Sequence, residues 1–150
     1  MTTTITTPDL VVLDLPAGLD RAAATALLAE RLVSAGRVTD RDAFLAAVAA
    51  REEQMPTGLE GGIGIPHARS AAVTAASVAF GRSASGVDFG AEDGPADLIF
   101  LIAAPDGAGD EHMTILAGLA RRLVRAEFKD GLRQAADPAA VAALINEVQG

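Results

Sequence analysis

The sequence predicts an α/β protein in three layers, with helices on both faces of one sheet. Short apolar runs alternate along the chain with stretches of helical spacing, the pattern that stacks helices on a sheet. Residues 98–103, Leu-Ile-Phe-Leu-Ile-Ala, are apolar at every position, which suits a central strand covered on both sides. The 150 residues show no internal repeat, low-complexity tract or linker, so residues 1–150 read as a single domain.

The elements follow in order. Residues 9–14 enclose the apolar run Leu10-Val11-Val12-Leu13, read as a first strand. Asp20 is placed to cap a helix whose inward stripe is Ala24, Leu28, Leu32 and Ala35, and Gly36 suits the position just past its end. Thr39 or Asp40 caps a second helix with Phe44, Leu45 and Val48 inward, and Arg51, seven residues after Phe44, falls on that stripe. Residues 56–62, rich in glycine with one proline, read as loop. Ile63-Gly64-Ile65 is a short buried strand ended by Pro66, so His67 stands on its exit.

Ala76, Val78 and Phe80 alternate as in a strand. Residues 86–94 are turn-rich, with residues 87–89 as an edge strand. After the central strand, residues 105–109 form a tight loop. A helix then starts near Asp110 with Leu116, Leu119 and Leu123 inward. Phe128 and Leu132 mark another helical segment, interrupted or ended near Gly131. Asp137 as N-cap and Pro138 at the first helical position open the last helix, which carries Val141, Leu144, Ile145 and Val148.

Composition removes several function classes. A chain of this size buries roughly 70% of its unfolded surface, enough for a core without staples. There is no cysteine, which excludes disulfides and thiolate metal sites, and two histidines make a poor zinc site, so neither metal nor cofactor is expected. A net charge of −8 with no basic stripe opposes nucleic-acid binding. The N-terminal residues lack the basic and apolar regions of a signal peptide, and no apolar run approaches the ~20 residues of a membrane span. The expected location is the cytoplasm.

The chemistry centres on Gly61-Gly62-Ile63-Gly64-Ile65-Pro66-His67-Ala68-Arg69-Ser70. The glycines permit close approach by another molecule, and the proline stiffens the backbone at His67. That presents the histidine as a nucleophile or ligand; for an isolated histidine a satisfied surface or core residue is the commoner reading. His112 lies in the first turn of its helix, where the dipole favours an anion, and four residues before Leu116 on the inward stripe. The competing reading is a buried histidine bonded to backbone. Arg51 is either an ion-paired or snorkelling helix-end residue or a guanidinium for phosphate. Asp110 and Glu111 read as dipole-complementing surface charges, and Arg121, Arg122 and Arg125 as a solvated helix end.

Gly-Ile-Gly-Ile-Pro-His at residues 62–67 resembles the active-site segment of enzyme IIA domains of the bacterial phosphoenolpyruvate-dependent sugar phosphotransferase system, fructose/mannitol type. The resemblance extends through Ala50-Arg51-Glu52-Glu53, Pro56-Thr57-Gly58-Leu59, residues 98–105, Glu111-His112, Leu116, Leu119 and Ala120. Ala68 departs from it, since many relatives carry glycine directly after the histidine.

The resemblance implies a mixed central β-sheet between helices, and a phosphotransferase with a phosphohistidine intermediate at His67. His67 then takes phosphate from the carrier HPr and hands it to a cysteine of an enzyme IIB domain coupled to a membrane IIC permease. Within that family the sequence looks most like fructose-type domains. The resemblance further implies that Nε2 attacks while a backbone carbonyl holds Nδ1, and it strengthens catalytic roles for His112 and Arg51. Such transfer needs an in-line nucleophile and donors for the equatorial oxygens. Backbone N–H groups around Gly62 and Gly64 are expected to form a phosphate nest, with Thr57 adding a hydroxyl. A regulatory, nitrogen-type IIA domain and a non-catalytic α/β ligand-binding module are the alternatives.

Overall fold

A computed structural model describes residues 5–106, 111–123 and 125–147, with the side chains of Glu111, His112, Met113, Ile115 and Leu116 outside the description. Residues 107–109 of the loop expected at 105–109, the helix start expected near Asp110 and the helix position of Val148 lie outside the described residues.

The sheet is arranged around β6 (Ala96–Pro105), the fully apolar stretch. Its side chains alternate between two cores, as strand geometry requires. Ile99, Leu101 and Ala103 enter one with Leu28, Leu32, Phe44 and Val48. Leu98, Phe100 and Ile102 enter the other with Leu119, Phe128, Leu132 and Ile145. The first core is covered by α1 (Arg21–Ser34) and α2 (Arg41–Gln54), the second by α3 (Glu111–Leu123), α4 (Ala126–Gln134) and α5 (Pro138–Asn146). Phe80 and Phe100 meet edge to face in the second core, centroids 5.1 Å apart. The three layers are as the sequence predicts.

Around β6 stand β1 (Val11–Val12), β2 (Gly58–Leu59), β3 (Ile63–Gly64), β4 (His67–Ser70) and β5 (Ser77–Val87). The order is β1-β5-β6-β3-β2, with β4 also on β6. β5 runs antiparallel to β6, whereas β3 and β4 run parallel to it, so the sheet is mixed. Ile63 faces Leu98 and His67 faces Ile102, so the register is unchanged from β3 to β4. The two are halves of one strand, interrupted at Ile65-Pro66. This corrects the expectation that Pro66 ends the pairing. The Pro66 carbonyl accepts from the Ile102 N–H at 3.0 Å, and His67 opens the next stretch of strand.

The helix caps follow the sequence. Asp20, Asp40 and Asp137 accept from Ala23, Ala43 and Ala140 N–H groups at 2.8, 3.1 and 2.8 Å. Gly36, at φ 75°, closes α1 by sending its N–H to the Val33 carbonyl while Arg37 reaches Leu32.

Four elements differ. Only Val11–Val12 of the first apolar run is strand, because Pro8–Leu10 forms a 3-10 turn. Residues 56–62 contain β2, antiparallel to β3. β5 extends to Val87 through small and polar residues, with a register shift between Arg82 and Val87, so Val87 ends a long strand and starts no new one. α4 runs unbroken through Gly131 to Gln134.

Candidate functional site

His67 is the half-buried first residue of β4, level with Ile102 near the carboxyl end of β6. Ala68 packs into the core beneath α1 and α2. Strand alternation therefore turns His67 toward the face on which α3, α4 and α5 pack. Its ring is oriented by its own chain: Nδ1 lies 2.9 Å from the Ile65 carbonyl oxygen. A carbonyl only accepts, so the proton is on Nδ1. In the neutral ring the lone pair then belongs to Nε2, the nucleophilic atom that the resemblance implies.

The Ile65 carbonyl is held in turn. Pro66 restricts the residue before it to extended backbone. The Ile65 N–H donates to the Thr57 carbonyl at 3.1 Å. Thr57, 3% exposed, donates its hydroxyl to Glu52 Oε1 and its N–H to Glu52 Oε2 at 3.3 Å. With its single hydroxyl proton given to Glu52, Thr57 braces the segment instead of offering a donor to phosphate.

The expected phosphate-binding glycines have packing reasons. A Cβ on Gly64 would lie 2.7 Å from the Phe89 ring. One on Gly62, at φ 80°, would meet Asp97 Oδ1 at 2.3 Å. Asp97 there holds Arg133 through two hydrogen bonds of 2.7 and 3.0 Å, which raise the arginine's pKa above its ordinary value. The Gly61 N–H is engaged by Asp93 at 2.9 Å. Gly61 and Gly62 also sit at the opposite end of β3 from His67.

Arg51 is half-buried in the last turn of α2 and donates from Nη1 to the Met55 carbonyl at 2.9 Å. That is its helix-end reading, and it secures the start of the segment that carries Thr57. His112 is the second residue of α3; its side chain lies outside the described residues. Its helix follows β6 and packs on the face toward which His67 turns. Among the described residues no cluster of three or more His, Cys, Asp or Glu side chains could hold a metal. None of their helices is long and apolar enough to cross a membrane.

The sequence reading missed Glu52, although a signal was present. Phe44, Val48 and Glu52 repeat at i+4, the spacing of one helix face. Arg51, at i+7, shared the same stripe and drew attention from it. Arg21, which pairs with Glu52 at 3.2 Å, carries no comparable sequence signal.

The family described as "phosphoenolpyruvate-dependent sugar phosphotransferase system, EIIA 2" matches residues 4–148. The chain belongs to this family. A fructose-specific EIIA component from Haloferax volcanii is 42% identical over 146 residues, covering 97% of this chain and 94% of that protein. A fructose-specific EIIABC component from Bacillus subtilis is 43% identical over 117 residues, covering 77% of this chain but 18% of that much longer protein. Among solved structures, the nitrogen regulatory protein IIA-Ntr from Neisseria meningitidis superposes with TM-score 0.84 at 30% identity, over 94% of this chain and 96% of that one. The IIA chain in a complex of enzyme IIA-mannitol with phosphorylated enzyme IIB-mannitol from Escherichia coli gives 0.76 at 25% identity, over 93% and 95%. The chain is thus a IIA phosphoryl-relay component of the sugar phosphotransferase system.

Proposed function

We propose that residues 1–150 act as one IIA domain in which His67 Nε2 accepts a phosphoryl group from the phosphohistidine of HPr. In the cytoplasm, His67 then passes the group to a cysteine of an enzyme IIB domain that serves a membrane IIC permease, with fructose as the sugar. The observation that carries this reading is the contact between Nδ1 and the Ile65 carbonyl, because it selects the nucleophilic nitrogen before any partner arrives.

The step balances simply. The Nε2 lone pair forms a bond to phosphorus as the phosphorus–nitrogen bond to the donor histidine breaks. Positive charge develops on the His67 ring, so its Nδ1–H becomes a stronger donor to Ile65. A fixed acceptor that gains strength along the reaction lowers the barrier. The incoming group is already activated, so positioning and charge stabilisation carry the catalysis. His112, in the first turn of α3, donates a hydrogen bond to an equatorial oxygen. The helix N-terminus adds its dipole there.

Support for fructose comes from the Haloferax and Bacillus relatives; support for IIB comes from the Escherichia complex. A regulatory role has its own support, in a nitrogen regulatory protein from Pseudomonas aeruginosa, 35% identical over 111 residues, and in the Neisseria structure.

Incubation with phosphoenolpyruvate, enzyme I and HPr tests the reading by intact mass. One phosphoryl group is expected, acid-labile, base-stable and absent from His67→Ala. His112→Ala still accepts it, on the order of a hundredfold more slowly, as for loss of one preorganised donor. Phosphate on His112 or a serine contradicts the assignment. Onward transfer to a IIB cysteine separates transport from a purely regulatory role.

A further inference from the structure

Glu52 is a nearly buried carboxylate, its side chain 9% exposed, on the face of α2 that carries Phe44 and Val48. A charge removed from water is costly unless it is well partnered. Its partners are Arg21 Nη1 at 3.2 Å, the Thr57 N–H at 3.3 Å and the Thr57 hydroxyl. Arg21 is fixed in its turn. Its Nε donates to the Asp88 carbonyl at 3.1 Å, and its guanidinium lies 5.9 Å from the Phe89 ring centroid.

All these contacts converge on one short segment. The Thr57 carbonyl takes the Ile65 N–H, and the Gly58 N–H goes to the Phe89 carbonyl at 3.0 Å. Gly58 pairs with Gly64, on whose backbone the Phe89 ring rests. Ile65 is thereby held from its amide side, and its carbonyl is left aimed at His67 Nδ1.

We propose that Glu52 is a positioning residue for His67: by clamping Thr57 it fixes the Ile65 carbonyl and so selects the Nδ1–H tautomer. This rests on the reading of His67 as phosphoryl acceptor. Glu52 touches neither the phosphoryl group nor His67. It acts through Thr57 and Ile65. Without it, Thr57 loses two hydrogen bonds, the β2–β3 hairpin shifts, and the ring divides between tautomers. Only the Nδ1–H tautomer presents the Nε2 lone pair to a donor. Small displacements of a nucleophile cost roughly 10- to 100-fold in rate.

The test has two readouts on Glu52→Ala, Glu52→Gln and Thr57→Val. The first is ¹⁵N NMR of the His67 ring at a pH where it is neutral, which needs no phosphoryl donor. In the wild type Nδ1 resonates as a protonated, pyrrole-like nitrogen and Nε2 as a pyridine-like one. Glu52→Ala and Thr57→Val move the two shifts toward each other. Glu52→Gln, which keeps a hydrogen-bonding group at Thr57, stays close to wild type. The second is single-turnover transfer from phosphorylated HPr, slowed roughly 10- to 100-fold in Glu52→Ala and substantially rescued in Glu52→Gln.

Thr57→Val keeps its backbone carbonyl and volume, and carries the test if Glu52→Ala does not fold. Unmixed ring shifts in the folded variants overturn the proposal, even if melting temperatures fall. A wild type that accepts no phosphate defeats the relay reading, while the ring shifts still decide the role of Glu52.

Discussion

At the scale of single residues, the neighbourhood of His67 is specified by what each position excludes. Gly64 has an ordinary negative φ and needs no special backbone freedom; it is glycine because the Phe89 ring occupies the space of a side chain. Gly64→Ala forces that ring or β3 to move, so it should destabilise the fold by about 1–3 kcal/mol, the usual cost of overpacking. Urea unfolding checks this, and an unchanged midpoint would show that Phe89 does not press on β3. Such close approaches are not legible in a sequence, which is why the glycines read there as a phosphate nest. His67 was singled out by local features, a proline before it and glycines before that, but its preference over a satisfied histidine came with the family resemblance. That a backbone carbonyl holds Nδ1 came with the family resemblance; that the carbonyl is that of Ile65 shows only in the folded chain, since local spacing does not reveal which carbonyl the ring will meet. Glu52 shows the opposite case: its i+4 spacing was visible, but its partners Arg21 and Thr57 meet only in the folded chain.

Among the elements, those whose signal is local matched expectation. Asp20, Asp40 and Asp137 each cap a helix with a side chain close to the amide it serves, and β6 is recognisable because both its faces are apolar. β2 and the second half of β5 were not recognisable. Their pairing depends on a partner strand, while β2 is only Gly58-Leu59 and the end of β5 runs through Ser83-Ala84-Ser85-Gly86 before Val87. The end of α4 was also set from a distance. Arg82, on β5, sends Nη1 to the carbonyls of Leu132, Arg133 and Ala135 at 3.1, 3.1 and 2.9 Å. This satisfies the last turn of α4 and complements its negative end, so the helix continues past Gly131. Arg82→Met should cost about 1–2 kcal/mol, the lower range for hydrogen bonds to a charged group because the site is half-buried. It should leave phosphoryl acceptance at His67 intact. Denaturation midpoints and intact mass on the same samples check both parts, and unchanged stability would remove the capping role.

For the whole molecule, two cores pressed on one sheet give His67 its setting. α1 and α2 bury Ala68 on one side, while β4, as the continuation of β3 on β6, turns His67 to the other, on which α3, α4 and α5 pack. The net charge of −8 leaves the surface suited to meeting basic partner surfaces, and binding of an acidic chain of this kind should weaken with salt. If the fold fixes the Nδ1 proton on the Ile65 carbonyl, Nε2 is the atom presented for phosphorylation. Long-range ¹H–¹⁵N NMR of the histidine-labelled, phosphorylated protein tests it most directly. The two histidines are assigned with His112→Gln. Phosphorus coupling to Nε2 of His67 is expected, with Nδ1 remaining on the Ile65 side. Phosphorus on Nδ1 of His67, or on His112, would contradict it.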